Sequence, residues 1–289
     1  MKILVTGAGG FAGRNIVQYF ASQGEHRVVG TYRRHRPDTI TNAEMLQLEL
    51  SDEIDIDGNF DAIIHTACAR PGKGHTFRTF KRDNIDSMEQ LIAFAQKKGI
   101  KTFINLSTKS VYGEGFRSED ELHEDADKKN QDAYGLTKYA AECLLKDETD
   151  MNGISLRLPG ISGPGAHDIW LVSMVEKIMK DEPITVSDFI TKNFVWIYDI
   201  ARFADKLIRH SLEGNRFKYD VVNLACRKGS RNVDLVNEIK RRTNSKSELI
   251  IQQSDKSLPI LNAARALEMG FDPHDPMEIT DMYLDTLGL

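Results

Sequence analysis

The chain has 289 residues, is 40% hydrophobic and 28% charged, and carries a formal net charge of −5; its isoelectric point is near 5.9 and its mean hydropathy −0.40. That length buries one sizeable core and allows one or two domains, and the acidic balance argues against broad affinity for nucleic acid, which needs clustered cations. No apolar run approaches the roughly 20 residues of a membrane span or forms a signal core, and three scattered cysteines without a C-x-x-C pair suggest neither disulfides nor a metal site, so the expectation is a cytoplasmic globular protein that takes a small molecule.

Ile3, Leu4 and Val5 form a short strand running into Thr6-Gly7-Ala8-Gly9-Gly10-Phe11-Ala12-Gly13, after which Ile16, Val17 and Phe20 repeat at helical spacing. Such a turn grips a dinucleotide: Gly7 allows the tight bend, Gly10 lets backbone approach a pyrophosphate, and Gly13 lets helix and strand pack closely. The helix start at Phe11 and Ala12 offers N–H groups to the anion. The spacing differs from the commoner G-x-G-x-x-G, and an ordinary strand-to-helix turn is the alternative.

A second strand is predicted over 28–31, ending at Tyr32-Arg33-Arg34. A carboxylate at that place receives the ribose 2′-hydroxyl of NAD, whereas arginine accommodates a 2′-phosphate, so Arg33 and Arg34 favour NADP, with NAD as the alternative. Further strands are predicted at 45–48, 62–65, 102–106 and 154–158, alternating with helical segments, which is the pattern of a doubly wound parallel sheet. His65, at a strand end, is expected to make a structural hydrogen bond rather than do acid/base work.

The strand at 102–106 leads into Ser107-Thr108-Lys109-Ser110, hydroxyls at a strand end, where open parallel sheets place their sites. Residues 132–146 read as an amphipathic helix with Tyr134 and Lys138 on one face. An ammonium beside a phenol favours phenolate, so the pair can serve as a general acid/base near neutral pH. After Pro159, the glycines 160, 163 and 165 mark a loop, and a helix is predicted at 170–180.

Together Thr6-Gly7-x-x-Gly10-x-x-Gly13, Ser107-Thr108-x-x-Val111-Tyr112-Gly113, Tyr134-x-x-x-Lys138 and Leu156-Arg157-Leu158-Pro159-Gly160 resemble the extended short-chain dehydrogenase/reductases, specifically the NAD(P)-dependent epimerase/dehydratase family acting on nucleotide sugars. The resemblance spans nearly the whole chain. It implies an α/β, Rossmann-like doubly wound sheet over 1–158, rejoined by 192–225, with a smaller substrate-binding lobe from 159–191 and 226–289. It assigns Thr108 and Tyr134 as the catalytic hydroxyl and acid/base, and Lys138 as the residue that binds the nicotinamide ribose and lowers the tyrosine pKa. Further cofactor contacts are implied for Tyr32, Glu49, Leu50, Thr66, Ala67, Asn84 at the opening of a helix, and Pro159. For Leu50, strand-end packing is the alternative.

Substrate contacts are implied for Arg70, Thr108, Lys109, His167 and Lys192, with a surface salt bridge the alternative for Arg70 and a solvated loop for His167. The implied reaction is hydride transfer at a sugar carbon, as in a 4-epimerase. The alternatives are an NADPH-dependent 4-keto-sugar reductase and a catalytically silent NADP-binding sensor. Lys109 and Ser110 stand where 4,6-dehydratases place an Asp-Glu pair, which argues against a dehydratase. Gln252-Gln253-Ser254-Asp255 replaces the family's Arg-x-Gly-Asp, removing one bidentate phosphate anchor; Lys192, at another family Arg position, supplies part of that charge. The resemblance also implies a homodimer through the helices at 84–96 and 132–146.

Overall fold

The computed structural model describes residues 1–72, 74–116, 120–191, 194–252 and 259–289. In chain order the first elements are β1 (Lys2–Thr6), α1 (Phe11–Ser22), β2 (Arg27–Tyr32), β3 (Ala43–Gln47), β4 (Ala62–His65), α2 (Phe77–Phe80), a π-helical turn (Lys81–Asp86) and α3 (Ser87–Lys98). Then come β5 (Thr102–Thr108), a 3₁₀ turn (Lys109–Tyr112), β6 (Glu121–Leu122), α4 (Ala133–Lys146), β7 (Asn152–Leu158), β8 (Gly160–Ser162), α5 (Trp170–Met179) and β9 (Ile184–Ser187). The last are β10 (Ile190–Thr191), β11 (Phe194–Trp196), α6 (Ile197–Leu212), β12 (Val221–Asn223), β13 (Ser230–Arg231), α7 (Asn232–Thr243), β14 (Leu249–Gln252), β15 (Ile260–Leu261), α8 (Ala264–Glu268) and α9 (Pro276–Thr286).

The chain divides into two compact units, one of Met1–Glu114, Ala126–Arg157 and Ala201–Val222, the other of Gly115–Asp125, Leu158–Ile200 and Asn223–Leu289. The first unit is built on a seven-stranded sheet of order β12-β7-β5-β4-β1-β2-β3, in which β3, β2, β1, β4 and β5 pair in parallel. This is the doubly wound arrangement expected from the alternation of strands and helices. The order reverses between β1 and β4, and ligands of open parallel sheets bind beyond the strand ends at such a switch point. The ends there are Thr6 and His65, which are register partners.

The central strands are apolar because both faces are covered: Ile3, Leu4, Val5, Ile63, Ile64, Phe103 and Ile104 are all fully buried. Met88, Leu91, Ile92 and Ala95 of α3 pack into the core with Leu4, Ile63 and Phe103, so most of this helix's apolar side is spent on its own sheet. The helix stops at Gly99, left-handed with φ 69°, whose successor Ile100 returns its N–H to Ala95 O at 2.8 Å. Asn84 does not open a helix as expected; it lies within the π-helical turn that joins α2 to α3.

The second unit is made of short strand pairs, β8 with β11, β9 with β14, β10 with β13 and β6 with β15, together with α5, α7 and α9. Pairing of β6 with β15 explains why residues 115–125 group here, although they lie between two segments of the first unit. Asn223 anchors this strip: its N–H donates to Glu124 Oε1 at 2.7 Å and its carboxamide to Leu122 O at 2.8 Å. The expected return to the first unit therefore begins only at Ala201 and ends at Val222. α9 starts at a capping box formed by Asp275 and Glu278, with Pro276 in its first turn. Among the described residues no helix is long and apolar enough to cross a membrane.

Candidate active site

At the switch point the Thr6 hydroxyl collects three neighbours: the N–H of Thr66 at 3.2 Å, that of Ala67 at 3.5 Å and His65 Nδ1 at 2.7 Å. With both amides donating to Thr6 Oγ1, the hydroxyl proton points to His65, whose Nδ1 accepts. His65 is fully buried, and burial together with the Lys138 charge pushes it down to about 3. It is a neutral structural residue that fixes the turn after β4. Thr66 Oγ1 closes the turn by donating to Thr6 O at 2.6 Å.

The glycine turn sits directly over this knot. Gly7 has φ 77°, and a Cβ there would stand 2.7 Å from Ala67 N. A Cβ on Gly13 would stand 2.3 Å from Gly7 O, so protein packing alone requires both glycines. Gly10 differs: the only protein atom near its imagined Cβ is Gly7 O at 3.4 Å. Its missing side chain keeps open a cradle that a methyl group would fill, at the N-terminus of α1, where no side chain caps the helix and no acidic residue stands in the first turn. These features fit a dinucleotide pyrophosphate.

The end of β2 carries an ion pair that the sequence did not show. Arg33 Nη1 donates to Asp83 Oδ1 at 2.9 Å and lies 3.8 Å from Glu49 Oε1. Asp83 is buried, which alone raises its carboxyl, but hydrogen bonds from Arg82 and Arg33 prevail and hold it below the usual range. Arg33 is thus engaged inside the protein, and Glu49 faces this pair. Arg34 and Arg36 remain exposed beside Tyr32, in a segment that curls over the turn, since a Cβ on Gly9 would meet His35 O at 2.6 Å. Leu50 is buried among core residues.

Asn84 pins the loop after β4. Its Oδ1 accepts from Ala69 N at 2.8 Å, and its Nδ2 donates to Thr137 Oγ1 on α4 at 3.0 Å.

α4 places the reactive pair. Asp132 caps it by accepting from Gly135 N at 2.6 Å, and Tyr134 and Lys138 follow one turn apart. Thr108 Oγ1 accepts from Ser110 N at 3.2 Å, and its hydroxyl stands near enough to the Tyr134 phenol to favour the ionised form. Burial and Cys68 push the Tyr134 hydroxyl up, while Thr108 and Arg70 oppose them. Lys138 is fully buried and its Nζ donates to Leu106 O at 2.7 Å; burial lowers its pKa, opposed by Cys68 and Glu142. Burial thus outweighs the Arg70 charge, and the phenol lies above its ordinary value, not below it as the Tyr134–Lys138 spacing leads one to expect. Lys109 follows Thr108, half-buried, and burial lowers its pKa too. Arg70 is exposed in the segment that follows β4.

Beneath this pair runs a buried network that the sequence reading missed. Ser107 Oγ donates to Glu142 Oε1, Arg157 grips the same carboxylate with Nε at 3.1 Å and Nη2 at 2.7 Å, and Arg157 Nη1 donates to Tyr112 Oη at 3.0 Å. Removing one member of such a buried pair costs about 3–5 kcal/mol. The available signal was charge inside apolar runs, Glu142 one turn beyond Lys138 and Arg157 between Leu156 and Leu158 at the end of β7. Cys68 was missed as a neighbour of Tyr134 because only the fold brings it there.

In the second unit, Pro159 is buried between β7 and β8, and His167 is exposed with Nδ1 3.2 Å from Gly165 O. Lys192 and residues 253–255 lie outside the described residues. Among the described residues no cluster of three or more His, Cys, Asp or Glu side chains is arranged to hold a metal ion.

Residues 3–225 match the model of the NAD dependent epimerase/dehydratase family. The chain is 25% identical over 229 residues to an uncharacterized UDP-glucose epimerase, YtcB, of Bacillus subtilis, covering 70% of this chain and 71% of that protein. It is 25% identical over 254 residues to a dTDP-4-dehydro-6-deoxy-D-allose reductase from Streptomyces, covering 77% and 75%. The Bordetella bronchiseptica enzyme WbmG, solved in complex with NAD, superposes with a TM-score of 0.81 at 18% identity over 100% of this chain and 94% of that one, a likeness of fold. With the family model covering the glycine turn, Thr108, Tyr134 and Lys138 alike, the chain belongs to the NAD dependent epimerase/dehydratase family.

Proposed function

We propose that the chain transfers hydride at a carbinol or keto carbon of a nucleotide sugar, in the manner of a 4-epimerase, with Tyr134 moving the hydroxyl proton. The observation that carries this reading is the packing of α4, which bears Tyr134 and Lys138, against the 3₁₀ turn that follows Thr108, in the same unit as the open cradle at Gly10. A nicotinamide dinucleotide bound over that cradle supplies or accepts the hydride. The chain's own residues position the carbon and handle the proton. Thr108 holds the reacting oxygen beside Tyr134, and Tyr134 takes the proton when the carbinol is oxidised and returns it when the ketone is reduced. Lys138 has three N–H donors and spends one on Leu106 O, which leaves donors for the cofactor ribose.

Burial keeps Tyr134 protonated, and that is the form a ketone reduction needs. This favours an NADPH-dependent keto-sugar reductase as the second reading, in keeping with the reductase among the relatives. Exposed Arg34 beside the glycine turn supports NADP, whereas Arg33 is committed to Asp83. Lys109 and Ser110 supply no acid-base pair for dehydration. The second unit serves as the substrate-binding lobe, with His167 and Lys192 as its substrate contacts and Pro159 as a cofactor contact, and two copies pair through α4, where Leu136 is exposed and Tyr139, Ala140 and Leu144 are half-buried.

Mass analysis of the dinucleotide released on denaturing the purified protein separates the two readings. Retained NAD⁺ that resists exchange supports the epimerase. An empty site that prefers NADPH over NADH supports the reductase.

A further inference from the structure

Glu142 is a buried carboxylate to which the reaction described above gives no part, and it lies on the helix that carries Tyr134 and Lys138. Lys138 and Glu142 stand four residues apart and share a face of α4. They meet consecutive residues of β5: Lys138 Nζ donates to Leu106 O at 2.7 Å, and Ser107 Oγ donates to Glu142 Oε1. The next residue of that strand is Thr108. Arg157, at the end of β7, closes the assembly by donating from Nε to both Glu142 oxygens at 3.1 Å and from Nη2 to Oε2 at 2.7 Å. Its Nη1 donates to Tyr112 Oη at 3.0 Å, and its guanidinium lies 4.9 Å from the centre of the same ring. Tyr112 is fully buried and is the last residue of the 3₁₀ turn that follows Thr108. One carboxylate thus ties α4 to the end of β5 and, through Arg157, to β7 and the far end of the turn.

A buried ion pair rarely gives a fold more stability than apolar side chains of similar volume would. What it adds is direction, because hydrogen bonds at set angles hold the segments in one register where an apolar contact would let them slide. We infer that Glu142 is a positioning residue for hydride transfer: gripped by Arg157 and Ser107, it fixes α4 against the end of β5 and so sets where the Lys138 ammonium and the Tyr134 hydroxyl stand relative to Thr108. The inference rests on the reading of Tyr134 as the proton carrier and adds a residue that acts only through its neighbours. The Glu142 charge also works with Cys68 against the burial that lowers the Lys138 pKa.

The test is Glu142→Met combined with Arg157→Met, which removes both charges together and leaves neither unpaired, so the double variant is expected to melt near the wild-type temperature. In unliganded protein, amide hydrogen exchange is expected to speed up about tenfold or more in residues 109–112 and 133–138, while β1 and β2 keep the wild-type rate. Unchanged exchange in both segments overturns the inference whatever the substrate proves to be. With UDP-glucose and a dTDP-4-keto sugar as probes, turnover is expected to fall about 10²-fold, the effect of a displacement near 1 Å at reacting groups, with KM within about threefold. In a Tyr134→Phe background the same pair of changes is expected to cost less than about threefold, because its effect runs through the phenol. Wild-type turnover by the double variant, or an equal loss with and without Tyr134, overturns the positioning role. Wild-type turnover by Tyr134→Phe alone overturns the reading on which the inference rests. Where the double variant does not fold, Ser107→Ala decides: it keeps the ion pair, removes only the link to β5 and is expected to lose about tenfold in turnover, and full activity in it overturns the inference.

Discussion

The backbone of α4 lies against the 3₁₀ turn so closely that a Cβ on Gly135 would stand 2.2 Å from Ser110 O. That contact sets the distance between Tyr134, one residue before, and Thr108, two residues before Ser110. Gly135→Ala must therefore push the helix away from the turn, since the obstructing atom is backbone. A shift near 1 Å at reacting groups costs about 10²-fold in rate. The expected outcome is a turnover loss of that order with dinucleotide affinity retained, read from steady-state kinetics and a cofactor titration on the same preparation.

Gly10 and Gly13 of the first turn should separate experimentally. Gly13→Ala places a methyl group against Gly7 O and is expected to destabilise the fold by about 1–3 kcal/mol in urea unfolding. Gly10→Ala meets only one atom, at ordinary van der Waals distance, so its stability should match wild type while cofactor affinity falls by about tenfold or more. Equal loss of stability in both variants would count against the pyrophosphate cradle.

These glycines also mark how far the sequence could be read. The order of strands, the glycine turn and the Tyr134 helix were legible because burial and helix periodicity leave regular patterns in Ile3–Val5 and around Tyr134. Side-chain knots between distant segments leave none. Thr6 and His65 meet across 59 positions, Arg33 and Asp83 across 50, and Ser107 with Glu142 across 35. The Arg33–Asp83 pair escaped the sequence for that reason: the arginine was visible at the end of β2, but the carboxylate that pairs with it sits in a π-helical turn with no sequence signature.

Arg34 is the arginine left to meet a 2′-phosphate. Arg34→Ala is expected to weaken NADPH binding about tenfold, near 1.4 kcal/mol, while NADH affinity stays within about twofold. Fluorescence titration with both nucleotides checks this, and equal effects on the two would assign the loop no role in cofactor choice.

His65 makes stability depend on pH. Its folded pKa of about 3 lies below the 6.5 of an unfolded histidine, so the unfolded chain binds a proton that the folded one refuses. The His65 contribution is fully present above pH 6.5 and is lost as pH falls toward 3, by an amount on the order of 4 kcal/mol over the whole window. His65→Asn keeps an acceptor for the Thr6 hydroxyl without that titration. Its unfolding free energy should fall less steeply than that of wild type between pH 6.5 and 4, measured by urea denaturation at matched ionic strength.

The raised pKa of Tyr134 gives a directional pH profile for the reaction. The protonated phenol persists up to and beyond the ordinary phenol value of about 10, so reduction of a keto sugar should stay level across neutral and mildly alkaline pH, whereas oxidation of a carbinol should climb with pH over the same interval. Initial rates in both directions, at saturating cofactor, provide the comparison.

The central claim is that Tyr134 carries the proton that accompanies hydride transfer, and the most direct test is Tyr134→Phe, which removes only the hydroxyl. Cofactor-loaded wild type and variant are mixed with UDP- and dTDP-sugars, and the nicotinamide fluorescence and sugar products are followed together. A fall in turnover of about 10²- to 10⁴-fold, with dinucleotide affinity unchanged, is the predicted result. Turnover by Tyr134→Phe at the wild-type rate would contradict the assignment.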